Sequence, residues 1–138
     1  MSEIQTAYLQ RCIDTLEKSY TMLQSAEEGT IDYELYRNSL VKSFEMTIEQ
    51  SGKLLRKKIT PYFSSKKVAD KLTFKDVFRC AHKYSLLTEA ETDRWMEYRD
   101  NRNSTAHDYG QSFAEETLVL IDDFIADAKK LKEVIDND

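Results

Sequence analysis

Five polar side chains in the stretch YRDNRNSTAHDYG are of types that could act together on a phosphate ester. Arg99, Asn103 and His107 recur at intervals of four residues, so a helix would place them on one stripe. Arg102 and Tyr109 are seven residues apart and would share the neighbouring stripe. On a straight helix, Arg102 and His107 would lie about 140° apart, so they meet only if the helix end loosens or the arginine reaches around. The spacing predicts one polar patch.

An imidazole beside a guanidinium suits the cleavage of an RNA phosphodiester without a metal. A neutral histidine, with an ordinary pKa of about 6.5, could take the proton of a 2′-hydroxyl, whose oxygen then attacks the adjacent phosphorus. An arginine offers paired donors to phosphate oxygens and would stabilise the added negative charge. Spacing alone favours a plainer alternative, in which His107 only complements the C-terminus of a helix that ends near Gly110.

Other catalytic and cofactor motifs are missing from the sequence. The three glycines, Gly29, Gly52 and Gly110, are too scattered for a phosphate-binding P-loop or a dinucleotide fingerprint. Cys12 and Cys80 stand at no metal-ligand spacing, so we expect two free thiols that fill the core. We therefore predict no cofactor and no metal.

Positive charge is concentrated in one segment of an acidic protein. The net charge is −5, yet segment 53–71 has seven cations against one acid. Its cations are Lys53, Arg56, Lys57, Lys58, Lys66, Lys67 and Lys71. Such a face could attract phosphates, although a solvated helix end is the plainer alternative. If this face binds RNA, its possible contacts are Arg99, Lys53, Arg56, Lys57 and Lys58.

The elements that must position these residues are helices. Few turn residues, with three glycines and one proline, and 33% charged residues favour an all-helical protein. Apolar side chains at helical spacing predict helix one over about residues 3–27, ended by Gly29. Helix two is predicted to start at Asp32 as N-cap and to stop at Pro61.

The second half of the chain contains three helix-start signals after a polar connection over residues 64–72. The signals are Thr73 with Asp76, Thr88 with Glu91, and Ser112 with Glu115. The helix after Thr88 should end near Gly110, and the last helix carries a long apolar stripe. We predict an antiparallel four-helix bundle with an additional short helix.

No apolar run approaches the length of a membrane span, and the first residues lack the pattern of a secretion signal. We therefore expect a soluble, cytoplasmic protein. Its 138 residues fit a single domain, 1–138.

The segment RNSTAHDY, residues 102–109, resembles the R-x4-H-x-Y signature of HEPN ribonuclease toxins of the HepT type, formerly described as nucleotidyltransferase substrate-binding proteins. Residues 44–49, FEMTIE, resemble the F-E-x-T-x-E segment of the family's second helix. Trp95 stands seven residues before Arg102, as it does in many family members. The resemblance extends over about residues 36–131.

The resemblance implies an all-helical HEPN domain that forms a homodimer and cleaves RNA, either tRNA or mRNA, without a metal. Arg102 and His107 of two subunits would be catalytic in a shared cleft, and Asn103 would orient the phosphate or the histidine. Tyr109 would receive AMP from ATP through an MntA-type nucleotidyltransferase antitoxin, and the added charge and bulk would exclude RNA. Asn101 departs from the family, in which aspartate is common at this position, and its missing carboxylate could weaken the orientation of Arg102.

Two other functions remain open at this point. The chain could be a non-catalytic subunit that presents a substrate to a separate nucleotidyltransferase. It could also be a purely structural helical bundle.

Overall fold

The computed structural model describes the backbone of residues 4–105 and 111–137 and the side chains of residues 4–102 and 115–137. These residues form six α-helices and contain no strand. The helices are α1 (Ala7–Ser25), α2 (Ile31–Ile59), α3 (Lys66–Asp70), α4 (Phe74–Lys83), α5 (Glu89–Thr105) and α6 (Gln111–Asp136). The predicted all-helical bundle is confirmed, with α1, α2, α5 and α6 as its four main helices.

The N-terminus of α2 lies two residues earlier than the sequence predicted. Thr30, and not Asp32, is the N-cap, because its Oγ1 accepts a hydrogen bond from the backbone N–H of Tyr33 at 3.1 Å. Gly29 adopts a φ of +85° just before it, a conformation that glycine accepts without strain. Asp32 instead lies in the first turn, where its negative charge favours the helix N-terminus. At the other end, α2 stops at Ile59, and Pro61 lies in a short 3₁₀ turn.

Two of the three predicted helix starts in the second half are confirmed. Thr73 Oγ1 accepts a hydrogen bond from the N–H of Asp76. Thr88 and Glu91 form a reciprocal capping box, in which the N–H of Thr88 donates to Glu91 Oε1 at 2.8 Å and the N–H of Glu91 donates to Thr88 Oγ1 at 3.1 Å. The third start is earlier than predicted, since α6 begins at Gln111 and already includes Ser112. The side chain of Ser112 lies outside the described residues.

The segment predicted as a polar connection contains the short helix α3. Ser65 caps this helix by accepting a hydrogen bond from the N–H of Val68, and Ala69 is fully buried. A single buried alanine among lysines gives no helical apolar stripe, which explains why periodicity did not predict this helix.

An aromatic cluster fixes α5, which is the helix that carries the candidate arginines. Trp95 and Tyr98 are buried, and the Trp95 ring lies 4.9 Å from Phe78 and 5.5 Å from Phe124. Tyr98 lies 4.9 Å from Phe124 in an edge-to-face arrangement. These contacts hold α5 against α4 and α6. Of the two thiols predicted to fill the core, Cys12 is buried, and both are free.

A partly buried ionic network joins α5 to α6. Arg94 donates to both carboxylate oxygens of Asp127, at 2.8 and 2.9 Å, and the hydroxyl of Tyr98 donates to the same carboxylate. Burial, followed by the hydrogen bond and charge of Asp127, raises the pKa of Tyr98 far above its ordinary value. Tyr98 therefore stays protonated and anchors the turn that precedes Arg99.

Within the part of the chain that the structure describes, no helix combines the length and the apolar character needed to cross a bilayer.

Candidate active site

The predicted catalytic residues lie at and beyond the end of α5. Arg102 is on the last turns of this helix, and its side chain is largely buried. The backbone of Asn103 belongs to the same helix, but its side chain lies outside the described residues. His107 and Tyr109 also lie outside the described residues, so their positions remain predictions.

Arg102 forms an ion pair with Glu49 on α2. Arg102 Nη2 donates to Glu49 Oε1 at 2.6 Å, with 22% of the arginine side chain and 58% of the glutamate side chain exposed. Glu49 is the last residue of FEMTIE. It lies on the surface of α2, because Phe44 and Ile48 occupy the face of this helix that packs into the core. The two segments that carry the family resemblance therefore meet in space.

Arg99 lies beside this ion pair, against an aromatic ring. Its guanidinium carbon is 4.8 Å from the centroid of Phe74, within the range of a cation–π contact. Burial lowers the pKa of Arg99, the charge of Arg102 lowers it further, and Glu49 opposes both effects. Arg99 and Arg102 are three residues apart on α5, so their positive charges add on one face of the helix, and an additional anion would be favoured here.

An open groove of about 470 Å³ runs along α2 next to these residues. Its walls include Glu49, Gly52, Lys53, Arg56, Phe74 and Arg99. Among the described residues that line this groove, three cations face one carboxylate, so its electrostatic potential favours negative ligands.

The five candidate RNA contacts have different surroundings. Lys53, Arg56 and Arg99 line the groove, and Lys57 is exposed on α2 outside it. Lys58 lies in the last turn of α2, where its amine donates to the carbonyl groups of Ile135 and Asn137.

Arg56 and Lys58 also serve the fold. Arg56 Nη1 donates to the carbonyl groups of Ala69 and Leu72 at 2.7 and 2.8 Å, which fixes the end of α3. Lys58 complements the carbonyl end of α6 in the same way. Part of the basic segment is therefore explained by helix ends that need cations.

Asn101, the departure from the family pattern, links α5 to α6. Its Oδ1 accepts a hydrogen bond from the hydroxyl of Thr117 at 3.1 Å, and Thr117 is fully buried. Arg102, the next residue along the chain, donates instead to the carboxylate of Glu49. Glu49 supplies a carboxylate to Arg102 in a chain that lacks the common aspartate.

Phe74 and Glu49 belong to the site although the sequence alone did not place them there. Glu49 is the last residue of the FEMTIE segment, and the family resemblance of that segment was the signal for its importance. Phe74 carried no comparable signal, because its contact with Arg99 joins α4 to α5 across the fold.

Gly52 allows Phe74 to approach α2, which gives a direct prediction. A Cβ at this position would lie 2.6 and 2.7 Å from two ring carbons of Phe74. We expect Gly52→Ala to lower the free energy of unfolding by about 1–3 kcal/mol, measured by urea unfolding, because the ring must shift.

The control is the same substitution in a Phe74→Leu background, where the obstructing ring is absent. There, alanine should be neutral or stabilising, since it favours a helix by about 1 kcal/mol over glycine. An equal loss of stability in both backgrounds would show that the ring contact is not the cause.

Comparison with known proteins gives a consistent family. A sequence model of the family described as "Nucleotidyltransferase substrate binding protein like" matches residues 8–137. A protein named "Probable ribonuclease HepT" from Haemophilus influenzae is 30% identical over 93 residues, which are 67% of this chain and 62% of that protein. The chain thus matches less than two thirds of this relative's length.

Two solved structures share the fold. HI0074 from Haemophilus influenzae, described as having the fold of a substrate-binding domain of a nucleotidyltransferase, superimposes with a TM-score of 0.81 at 23% identity, over 96% of this chain and all of that one. The protein ttk003001694 from Thermus thermophilus has a TM-score of 0.72 at 20% identity, over 94% of this chain and 99% of that one. At these identities the likeness concerns the fold alone.

Proposed function

Since the chain belongs to the family of HepT-type, nucleotidyltransferase substrate-binding-like proteins, we propose that it is a metal-independent endoribonuclease and the toxin of a toxin–antitoxin pair. The observation that carries this proposal is the position of Arg102. It is held by Glu49 at 2.6 Å, at the edge of a groove in which cations outnumber acids. Such a site favours the phosphates of RNA.

In the proposed reaction, His107 is the general base and Arg102 stabilises charge. His107 removes the proton of a 2′-hydroxyl, and the 2′-oxygen forms a bond to the adjacent phosphorus. The bond between phosphorus and the 5′-oxygen breaks, and that oxygen takes a proton from water. Arg102 donates hydrogen bonds to the phosphoryl oxygens while their negative charge increases. The products are a 2′,3′-cyclic phosphate and a 5′-hydroxyl.

The proposed enzyme is a homodimer of one HEPN domain per chain, residues 1–138. Arg102 and His107 need a cleft in which they face one RNA strand, and two copies of α5 side by side would supply it. Asn103, the next residue after Arg102, would orient the phosphate or the imidazole through its amide.

The test is cleavage of tRNA and mRNA in the presence of EDTA by the wild-type protein and by His107→Ala. We expect cleavage by the wild type and a loss of about 10²–10⁴-fold in the variant, the usual contribution of a general base. Equal cleavage by both proteins would remove His107 from the mechanism.

We also propose that a nucleotidyltransferase partner of the MntA type controls the enzyme. It would transfer AMP from ATP to the hydroxyl of Tyr109, forming a bond between the tyrosine oxygen and the α-phosphorus and releasing pyrophosphate. The added negative charge beside the cleft would repel RNA.

The corresponding prediction concerns Tyr109→Phe. Co-expressed with the partner enzyme, the wild type should gain the mass of AMP less one water for each group transferred and lose RNA cleavage, whereas Tyr109→Phe should gain no such mass and stay active. Intact mass spectrometry and the EDTA cleavage assay measure the two results. An unmodified Tyr109 under conditions in which the partner restores growth would contradict the switch.

A second candidate function is a non-catalytic subunit that presents a substrate to a nucleotidyltransferase. It is favoured by the shared fold with HI0074, which was described as a substrate-binding domain. Absence of cleavage by both the wild type and His107→Ala, together with formation of a stable complex with the transferase, would support this candidate.

A further inference from the structure

We propose that the groove beside Arg102 is a binding subsite for one backbone phosphate of single-stranded RNA, next to the phosphate that is cleaved, with Arg99 and Lys53 as its donors. This inference rests on the proposed function, because it places the RNA strand relative to Arg102. It adds a site and a binding mode for the substrate.

The donor groups of Arg99 and Lys53 are unused by the protein. Within residues whose side chains are described, neither the guanidinium of Arg99 nor the amine of Lys53 has a hydrogen bond or an ion pair, and both line the groove. Arg56, by contrast, donates to two backbone carbonyl groups. The available donors in the groove are therefore those of Arg99 and Lys53.

Arg99 is held in place before any ligand binds. Phe74 lies under its guanidinium at 4.8 Å, and Phe74 is itself fixed by the close approach of Gly52 and by the ring of Phe78 at 4.6 Å. A guanidinium on an aromatic face keeps its N–H groups available for a phosphate. Because little side-chain freedom is left to lose, binding costs less entropy.

Arg102 and Arg99 have different partners, and this difference separates the two phosphate positions. Glu49 accepts a hydrogen bond from Arg102 and also attracts Arg99, whose pKa it raises against the effects of burial and of Arg102. Arg99 forms no ion pair with Glu49, and its guanidinium lies instead against the ring of Phe74 at 4.8 Å. A phosphate at Arg99 and Lys53 is then separate from a phosphate at Arg102, as successive phosphates of one strand are.

The chemistry of the groove favours a strand backbone over a free nucleotide. Sites for small ligands are usually enclosed and mostly apolar, whereas this groove is open and its walls are mainly polar or charged. Among the described residues that line the groove, the aromatic ring is that of Phe74, and it is already in contact with Arg99, Gly52 and Phe78, so these residues offer no free platform for a base. Contacts to phosphate alone predict binding without base preference.

The test measures RNA binding separately from cleavage. A fluorescent single-stranded RNA is titrated with the full-length, cleavage-deficient variant His107→Ala. The same titration is made with double variants that combine His107→Ala with Lys53→Gln, Arg99→Gln or Arg99→Lys. The matched control is Lys67→Gln, an exposed lysine of the same basic segment that does not line the groove. Circular dichroism checks folding, and exposed Lys53 can be replaced without loss of a core contact.

We expect Lys53→Gln and Arg99→Gln each to weaken binding about 5- to 30-fold, and to reduce the slope of log affinity against log salt by about one. Lys67→Gln should weaken binding less than about twofold. The affinity of Arg99→Lys should lie between those of Arg99→Gln and the protein with Arg99 intact. RNAs of different base composition should respond equally.

Equal weakening by Lys53→Gln and Lys67→Gln would overturn the subsite, because charge alone would then explain binding. AMP or inorganic phosphate that binds the groove more tightly than the RNA does, at the same ionic strength, would also overturn it, because the groove would then be a site for a free anion. Cleavage by the wild type with unaltered binding in Lys53→Gln and Arg99→Gln would reject the subsite and leave the ribonuclease intact. Groove-dependent binding without cleavage would reject the ribonuclease alone.

Discussion

Replacing Arg102 by alanine should lower the rate constant of RNA cleavage by about 10²–10³-fold, the usual effect of removing a donor that stabilises transition-state charge. Arg102→Lys should recover little of this loss, because an ammonium lacks the planar pair of donors. The matched control is Arg79→Ala, since Arg79 is exposed and pairs with Asp76 on the surface of α4. Single-turnover kinetics in EDTA measure the rate constant at saturating RNA.

Glu49 is a positioning residue in this account, and its substitution refines the same prediction. Glu49→Gln keeps a hydrogen-bond acceptor but loses the charge that holds Arg102. The rate constant should fall about tenfold with the KM nearly unchanged, and the double variant with Arg102→Ala should be no slower than Arg102→Ala itself. If the two substitutions lowered the rate constant independently, so that their effects multiplied, the role of Glu49 would be contradicted. If Arg102→Ala cleaved RNA as fast as Arg79→Ala, the role of Arg102 would be contradicted.

The second large effect is on stability, and it concerns Asp127. Its carboxylate, 7% exposed, receives hydrogen bonds from Arg94 and Tyr98. Asp127→Ala leaves the Tyr98 hydroxyl buried without its acceptor and removes the charge that pairs with Arg94. We expect the free energy of unfolding to fall by about 3 kcal/mol.

Asp123→Ala is the control, because Asp123 is exposed on α6 one turn earlier. It should change the free energy of unfolding by less than about 0.5 kcal/mol. Urea titrations followed by circular dichroism measure both variants. A loss below about 1 kcal/mol for Asp127→Ala would show that the network contributes little to holding α5.

Local signals in the sequence predicted local structure well. Thr88 and Glu91 are three residues apart and satisfy each other's backbone N–H groups, so their capping box needs no tertiary contact. The predicted start of α2 was wrong by two residues, because threonine and aspartate are both good N-cap residues and the sequence offers Thr30 and Asp32. In the structure, Thr30 accepts the capping hydrogen bond directly after Gly29, whose φ of +85° is not visible in a sequence.

Tertiary contacts explain what the sequence left open. Glu49 and Arg102 are 53 residues apart, and only the packing of α5 against α2 brings them together. The run of cations in segment 53–71 predicted a single phosphate-binding face. The structure distinguishes residues that bind helix-end carbonyls, such as Arg56 and Lys58, from Lys53, whose amine is available in the groove.

The most direct measurement is the chemistry of the ends produced when the purified wild-type protein cleaves RNA in EDTA. Attack by the 2′-oxygen, with Arg102 and His107 as catalysts, predicts fragments that end in a 2′,3′-cyclic phosphate and begin with a 5′-hydroxyl. Fragments that begin with a 5′-phosphate, or cleavage that continues on RNA lacking a 2′-hydroxyl at the cut position, would contradict the account.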